Sequence, residues 1–264
     1  MLLTGRVAVV AGVGPGMGRD IALALSAHGA AVALGARAAR HVDPVVDEIR
    51  DRGGRAVGLP TDVTDPADCV ALARAAHDSF GGIDVLVNNA AHGGTFGRLS
   101  DTEPVDLLPV LEVNVLGTLA MTNAVVPHLR ARGGGRIVMV NTNTAEVPLE
   151  GFGGYGMSKA ALLHVTAHLA VELGRDGIRV NSVLPGPIWG RNLRRWFESL
   201  AAERGVRIED IVAEQAATTL LGYIPTSEEI AGTVVYLASD LSRPVTGQTI
   251  RADCGQWMTP RQPG

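Results

Sequence analysis

Two side chains set out the chemistry open to this chain. Tyr155 and Lys159 stand four positions apart in the stretch GGYGMSKAAL, 153–162, which is patterned as a helix. Helical residues at i and i+4 share one face, a turn apart. An ammonium beside a phenol favours the phenolate, so the pair predicts a Tyr155 pKa drawn from about 10 toward neutral. A phenol tuned in that way exchanges a proton with a substrate oxygen. The spacing alone is not diagnostic, because an exposed lysine beside a half-buried tyrosine gives the same pattern.

A second group of residues suggests what else the site holds. Gly12, Gly14, Gly16 and Gly18 follow the β-branched run RVAVVA, 6–11, and precede a helical segment, 19–28. A strand, a glycine turn and a helix N-terminus together cradle a pyrophosphate, with close backbone approach and free amides. Met17 takes the third glycine position of a strict GxGxxG, so the pattern that fits is Gly12-xxx-Gly16-x-Gly18. A glycine-rich turn with no ligand is the alternative. The next strand, 31–35, ends without an acid and is followed by Arg37. An acid there would take a ribose 2′-hydroxyl, whereas an arginine accommodates a 2′-phosphate. Arg37 therefore predicts NADP(H) as the preferred cofactor, with NAD(H) as the alternative. A solvated loop arginine would look the same. Asp62-Val63 follows the third strand, 55–59, where a carboxylate can accept an adenine amino group.

The elements that position these groups alternate along the whole chain. Pro44 is expected to open a helix over 44–52, and Asp65-Pro66 to cap one that reaches Phe80 and stops at Gly81-Gly82. The fourth strand, 83–87, runs into Asn88-Asn89-Ala90-Ala91, whose amides can hold neighbouring backbone. A long helix lies within 105–130, beginning or kinking at Pro109, with Asn114 inside it. The fifth strand, 136–140, leads to Asn141-Thr142-Asn143-Thr144, and the Tyr155 helix closes at Gly174. The sixth, 178–183, leads to Pro185-Gly186-Pro187; a helix over 227–239 and a strand over 248–251 finish the pattern. Such alternation predicts an α/β fold, a doubly wound parallel sheet with helices on both faces and ligands at the carboxyl ends of the strands. Every polar cluster named above falls at such an end or on the following helix.

The segment 188–222 is an insertion with helical pieces. Trp189, Leu193, Trp196 and Phe197 either line an apolar substrate pocket under a mobile lid or pack on the domain as an amphipathic helix. Arg191, Arg194 and Arg195 suit a solvated face better than an anionic substrate.

Bulk composition narrows the classes. A chain of 264 residues, 46% hydrophobic and 19% charged, suits one α/β domain over 1–264. A net charge of −4 gives no electrostatic reason to expect nucleic acid or anionic membrane as partner. Cys69 and Cys254 form no metal-spaced cluster and no disulfide framework, so no metal and a reducing cytoplasm are expected. The N-terminus lacks a signal-peptide pattern, and no uninterrupted apolar run is expected to span a bilayer.

Taken jointly, Gly12-xxx-Gly16-x-Gly18, Asp62-Val63, Asn88-Asn89-Ala90, Asn114, Tyr155-xxx-Lys159, Asn181, Pro185-Gly186 and Thr246-Gly247-Gln248 resemble the short-chain dehydrogenase/reductase family in its single-domain form. The likeness covers nearly the whole chain. It implies a Rossmann-type seven-stranded sheet ordered 3-2-1-4-5-6-7, NAD(P)-dependent hydride transfer on a small carbonyl or secondary alcohol, and a homotetramer or homodimer. Tyr155 would then be the general acid or base. Lys159 would lower its pKa and bond the nicotinamide ribose, and Asn114 would hold a water linking Lys159 to solvent. Thr142, thirteen residues before Tyr155, stands where the family has serine, and its hydroxyl would donate to the substrate oxygen. Its extra methyl narrows the site. Thr144 is a second hydroxyl nearby.

The same resemblance assigns cofactor contacts to Gly12, Gly14, Gly16, Met17, Gly18, Arg37, Asp62, Val63, Asn89, Ala90, Pro185, Gly186 and Ile188, besides Tyr155 and Lys159. Substrate contacts fall on Thr142, Thr144, Trp189 and Trp196. The departures are Ala11 for threonine, Pro15 for a basic residue, Ala91 for glycine, and Asp253-Cys254-Gly255 for Asp-Gly-Gly. A catalytically altered member is the alternative, either a cofactor-binding sensor or a dehydratase or epimerase.

Overall fold

A computed structural model of the chain describes residues 1–258; the last six positions of the expected single domain, 259–264, lie outside them. Buried apolar runs make the strands, and amphipathic segments between them make the helices. In chain order the first half runs β1 (Val7–Ala11), α1 (Met17–Ala27), β2 (Ala31–Ala36), α2 (Ala39–Asp51), β3 (Ala56–Pro60), α3 (Pro66–Phe80) and β4 (Val85–Asn88). Then α4 (Leu108–Leu111), a π-helical segment (Glu112–Gly117) and α5 (Thr118–Ala131) form one rod, followed by β5 (Gly135–Val140) and a one-turn 3₁₀ helix (Asn143–Ala145). The second half continues with α6 (Gly153–Leu173), β6 (Ile178–Pro185), α7 (Arg191–Arg204), α8 (Ile208–Ala217), α9 (Ser227–Ala238) and β7 (Thr249–Ala252). The strands form one sheet in the order β3-β2-β1-β4-β5-β6-β7, every pair parallel, as expected.

Both faces of the sheet are covered, and β1 shows why its residues are apolar throughout. Ala8 and Val10 pack with Ile21 of α1, Val46 of α2 and Val234 of α9. Val7, Val9 and Ala11 point the other way, into Leu72 of α3, Val125 of α5 and Leu173 of α6. A strand buried on both sides needs no polar alternation. The chain reverses winding direction between β1, which pairs β2 on one side and β4 on the other. The crevice for ligands lies at the carboxyl ends of strands at such a switch.

Several boundaries differ from expectation for physical reasons. Helix α2 begins at Ala39 and carries Pro44 inside it, rather than starting at Pro44. Val42 lies on its buried stripe, and a Cβ at Gly58 would sit 2.2 Å from Val42 Cγ1, so burial of Val42 draws the helix start upstream. Pro109 is at the second position of α4, where no amide is needed. Helix α6 closes at Gly174 as expected; a 3₁₀ turn follows, and Gly177 takes the positive φ of 70°. Asp65 caps α3 as expected, accepting from the Ala67 amide at 2.8 Å, and Gly81 ends it at φ 83°.

The stretch Pro104–Ala131, with mean hydropathy 1.4, is long and apolar enough to cross a membrane by length and composition. Here one face of it packs in the core, where Met121, Val125 and Leu129 are fully buried against α3 and the sheet, while Val105, Leu108 and Leu116 are exposed. Between α6 and α9, the insertion has a small core of its own, where Phe197, Ala201 and Ile211 gather Trp189 and Leu193.

Candidate active site and nucleotide cleft

The glycine turn after β1 contains glycines of two kinds. At Gly12, φ is 97° and a Cβ would lie 2.2 Å from the Ala90 amide nitrogen; at Gly18 it would lie 2.3 Å from the Gly12 carbonyl oxygen. These two are glycine because the chain packs on itself. Asn89 locks the arrangement by donating from Nδ2 to the Gly12 carbonyl at 2.6 Å, while the Asn89 and Ala90 amides both reach the Ala11 carbonyl at 2.8 Å. Gly14 and Gly16 differ: nothing lies within 4 Å of a Cβ at either. Gly16 needs its positive φ of 111° to turn into α1, and Gly14 faces an open cleft of about 440 Å³. No side chain caps α1. The uncapped helix end and the bare backbone beside it suit a pyrophosphate.

The cleft brings together Gly12, Gly14, Met17, Gly18, Arg37, Asp62, Val63, Asn89 and Ala90 of the expected cofactor residues. Arg37 is exposed at its rim and makes no hydrogen bond among the described residues. Asp62 is held below the usual carboxylate range, first by the Thr64 amide (2.9 Å) and hydroxyl (2.7 Å), with the Arg37 charge adding to the effect. Gly16, Pro185, Gly186 and Ile188 are not among the cleft's lining. Ile188 packs on the core beneath α9, and Gly186 lies under Asp253 and Gln256. Sequence reasoning missed His41, His92 and Asn192, which do line the cleft. His92 directly follows the Asn-Asn-Ala-Ala run, and that adjacency was the available signal.

Helix α6 carries Tyr155 and Lys159 one turn apart, beside the carboxyl end of β5. Lys159 is buried at 2% exposure and donates from Nζ to the Val140 carbonyl at 2.9 Å. Its Nζ lies 5.8 Å from the centre of the Tyr155 ring. The expected drop in the Tyr155 pKa is overturned in this arrangement. Burial pushes the phenol up to about 12 and the Lys159 amine down to about 8. The ammonium is spent on a backbone carbonyl, and desolvation of both groups outweighs their attraction.

Asn114 lies in the π-helical segment, fully buried. Its Oδ1 accepts from the His92 amide (2.7 Å), while Nδ2 donates to the His92 carbonyl (3.0 Å) and to Ser158 Oγ (2.8 Å). The side chain thus clamps the His92 loop to the Tyr155 helix. Ser158, also missed, donates onward to the Tyr155 carbonyl at 2.7 Å.

Thr142 caps the 3₁₀ turn. Its hydroxyl donates to Asn143 Oδ1 (3.3 Å) and accepts from the Thr144 amide and hydroxyl, both at 3.4 Å. Asn141 ties the turn to α6: Oδ1 accepts from the Thr142 amide (3.0 Å), and Nδ2 donates to the Lys159 carbonyl (3.2 Å). Gly156 completes the contact, since a Cβ there would lie 2.9 Å from the Thr144 carbonyl. The two threonines and the tyrosine are therefore on adjoining elements. Trp189 packs into the insertion's own core, its ring centre 6.2 Å from that of Phe197; Trp196 is exposed and lies 5.4 Å from the same ring. Phe197 itself is core, as the packing alternative expects.

The buried amine has a consequence for stability. Between about pH 8 and the ordinary value of 10.5, the unfolded chain carries a proton on Lys159 that the folded chain has shed. Stability therefore rises with pH across that window. Tyr155 acts oppositely: from pH 10 to about 12 the fold keeps a proton that the unfolded phenol loses, and stability falls. Lys159→Met is expected to be more stable than the parent by about 3 kcal/mol near pH 7, with the gap closing above pH 8. Melting curves of both proteins across pH 7–10.5 check this, and a gap that stays constant over the range overturns it.

Comparison with known proteins adds four findings. A family model described as enoyl-(acyl carrier protein) reductase matches residues 12–256. A dehydrogenase/reductase SDR family member 4 from Bos taurus is 36% identical over 248 residues, covering 94% of this chain and 86% of the relative. Among solved structures, a 7α-hydroxysteroid dehydrogenase complexed with NADH and 7-oxo glycochenodeoxycholic acid superposes with a TM-score of 0.85 at 30% identity, over 96% of this chain and 94% of the other. An NAD⁺-bound xylitol dehydrogenase gives a TM-score of 0.87 at 27% identity, over 96% and 99%.

Proposed function

Because this chain belongs to the short-chain dehydrogenase/reductase family, whose members act on CH–OH and C=O groups with NAD(H) or NADP(H), we propose that Tyr155 and Thr142 form its catalytic pair and that NADP(H) is its preferred cofactor. Bound nicotinamide supplies or accepts the hydride. The Tyr155 phenol, kept protonated at neutral pH by burial, gives its proton to the substrate oxygen as a carbonyl becomes an alcohol. The Thr142 hydroxyl turns its one proton from Asn143 Oδ1 to that same oxygen and steadies the charge that develops there. Lys159, anchored on the Val140 carbonyl, keeps its charge inside the site below about pH 8. Asn114 holds the His92 loop against the Tyr155 helix through Ser158.

The observation that carries this reading is the junction of the Thr142 turn with α6, made by Asn141 on one side and Gly156 on the other. It holds the turn that carries Thr142 against the helix that carries Tyr155. A panel of ketones and secondary alcohols, assayed with both cofactors, tests it. Turnover of none of them would reject the reading.

The cofactor preference rests on Arg37, an exposed guanidinium at the rim of the cleft that makes no hydrogen bond among the described residues. A charge-assisted contact to a 2′-phosphate is worth about 1.5–3 kcal/mol. Arg37→Ala is therefore expected to weaken NADPH binding about 10- to 100-fold while leaving NADH binding unchanged. Equal losses for the two nucleotides, measured by fluorescence titration, would show that Arg37 reads no 2′-phosphate. A homo-oligomer in a reducing cytoplasm completes the proposal, in keeping with the two free cysteines.

A further inference from the structure

The turn that presents Thr142 is held from outside at both ends, and both holds come from the last strand and the turn after it. At its start, Asn143 Nδ2 donates to Gln256 Oε1 at 2.9 Å. At its end, Arg251 donates from Nη2 to Glu146 at 2.6 Å, and the same guanidinium lies 4.6 Å from the centre of the Trp257 ring. Gln256 is itself fixed. The buried carboxylate of Asp253 accepts from the Gly255 amide (3.0 Å) and the Trp257 amide (2.9 Å), and the Gln256 amide donates to the Asp253 carbonyl (3.1 Å).

The other end of the Gln256 amide group faces the insertion. Its Nε2 donates to Thr218 Oγ1 at 2.9 Å, at the residue that closes α8. Thr218 passes its own proton to the Gln215 carbonyl at 2.7 Å. On the catalytic side, Asn143 Oδ1 accepts the Thr142 hydroxyl at 3.3 Å. An unbroken run of hydrogen bonds thus joins Thr142, Asn143, Gln256 and Thr218. Gln256 Oε1 also lies 3.0 Å from where a Gly186 Cβ would be, at the end of β6.

We propose that Gln256 is a positioning residue that holds the Thr142 turn through its acceptor and the end of α8 through its donor. The proposal rests on the role given to Thr142 above. A glutamine suits the task because it has one acceptor and one donor group and spends them on different partners. The acceptor holds the catalytic turn, and the donor holds the insertion. Glutamate at 256 would keep the acceptor and lose the donor; alanine would lose both.

That asymmetry gives the test. Three full-length variants are compared with the parent: Gln256→Ala, Gln256→Glu and Thr218→Val. Gln256→Glu and Thr218→Val are each expected to raise KM about fivefold with kcat little changed. Gln256→Ala is expected to raise KM by a similar factor and also lower kcat about tenfold, with cofactor affinity unchanged in all three. The double variant Gln256→Ala/Thr218→Val is expected to be no worse than Gln256→Ala, because both changes cut one path. Amide hydrogen exchange provides a readout that needs no turnover. Gln256→Ala is expected to speed exchange at Thr144, Ala145, Thr218 and Thr219, and Thr218→Val only at the last two. Additive effects in the double variant, an unchanged kcat in Gln256→Ala, or faster exchange confined to residues after Asp253 would each overturn the coupling. If the parent turns over no carbonyl or alcohol, the proposed reaction falls and the exchange pattern alone decides the coupling.

Discussion

Tyr155→Phe is expected to lower kcat by about 10²- to 10⁴-fold, the usual worth of a positioned acid or base, while cofactor affinity stays within about twofold. The ring is kept and only the proton-bearing oxygen is lost. The main-chain partner of that residue does not depend on the phenol: Ser158 Oγ donates to the Tyr155 carbonyl at 2.7 Å in either protein. The nucleotide cleft is lined by the segments that follow β1, β2, β3 and β4, with Val113 and Asn192, and by no residue of α6, so it keeps its shape. The measurement is steady-state kinetics on the best substrate of the panel, with nucleotide binding followed separately. Turnover equal to that of the parent would remove Tyr155 from the reaction altogether.

Gly12→Ala is the second large effect, and it falls on the fold before the chemistry. The new Cβ would lie 2.2 Å from the Ala90 nitrogen and 2.4 Å from its Cα. Neither is a side-chain atom that can swing away. The φ of 97° adds strain of its own. The expected loss is about 3 kcal/mol or more, with nucleotide binding lost in the same variant. Gly14→Ala is the contrast. Nothing within 4 Å opposes a Cβ there, so stability stays within about 0.5 kcal/mol. Nucleotide affinity nevertheless falls, because the methyl intrudes on the cleft that Gly14 lines. Urea unfolding and nucleotide titration of both variants separate the two roles. A Gly12→Ala protein that unfolds like the parent would refute the packing argument. A Gly14→Ala protein with parental affinity would move the phosphates elsewhere.

The sheet was legible because each strand is an apolar run between punctuating glycines, prolines and asparagines. Local rules then failed where a distant contact outweighed them. Pro44 marks a helix start by propensity, yet Val42 is buried against Gly58 and carries the helix past it. The shared face of Tyr155 and Lys159 follows from spacing alone. Their titration does not, because it depends on what Nζ meets, and that is the Val140 carbonyl of β5. Asn114 stood out as an odd residue in a long helix, but spacing could not reveal the π-helical segment around it. Such segments recur at functional sites, and this one turns the amide toward the His92 loop. The contacts of His92 and Ser158 with Asn114 were hidden for the same reason: they join positions 22 and 44 apart along the chain.

The ties between Asn143 and Gln256 and between Glu146 and Arg251 also bear on how the protein is born. A ribosome delivers the chain from its N-terminus, and domains consolidate as their partners emerge. The nucleotide cleft can close its floor once Ala90 has left the exit tunnel, since Gly12 and Asn89 then have each other. The turn bearing Thr142 must wait for more than a hundred further residues, the last of them Gln256. A premature stop near codon 250 would therefore leave the Thr142 turn without either of these ties.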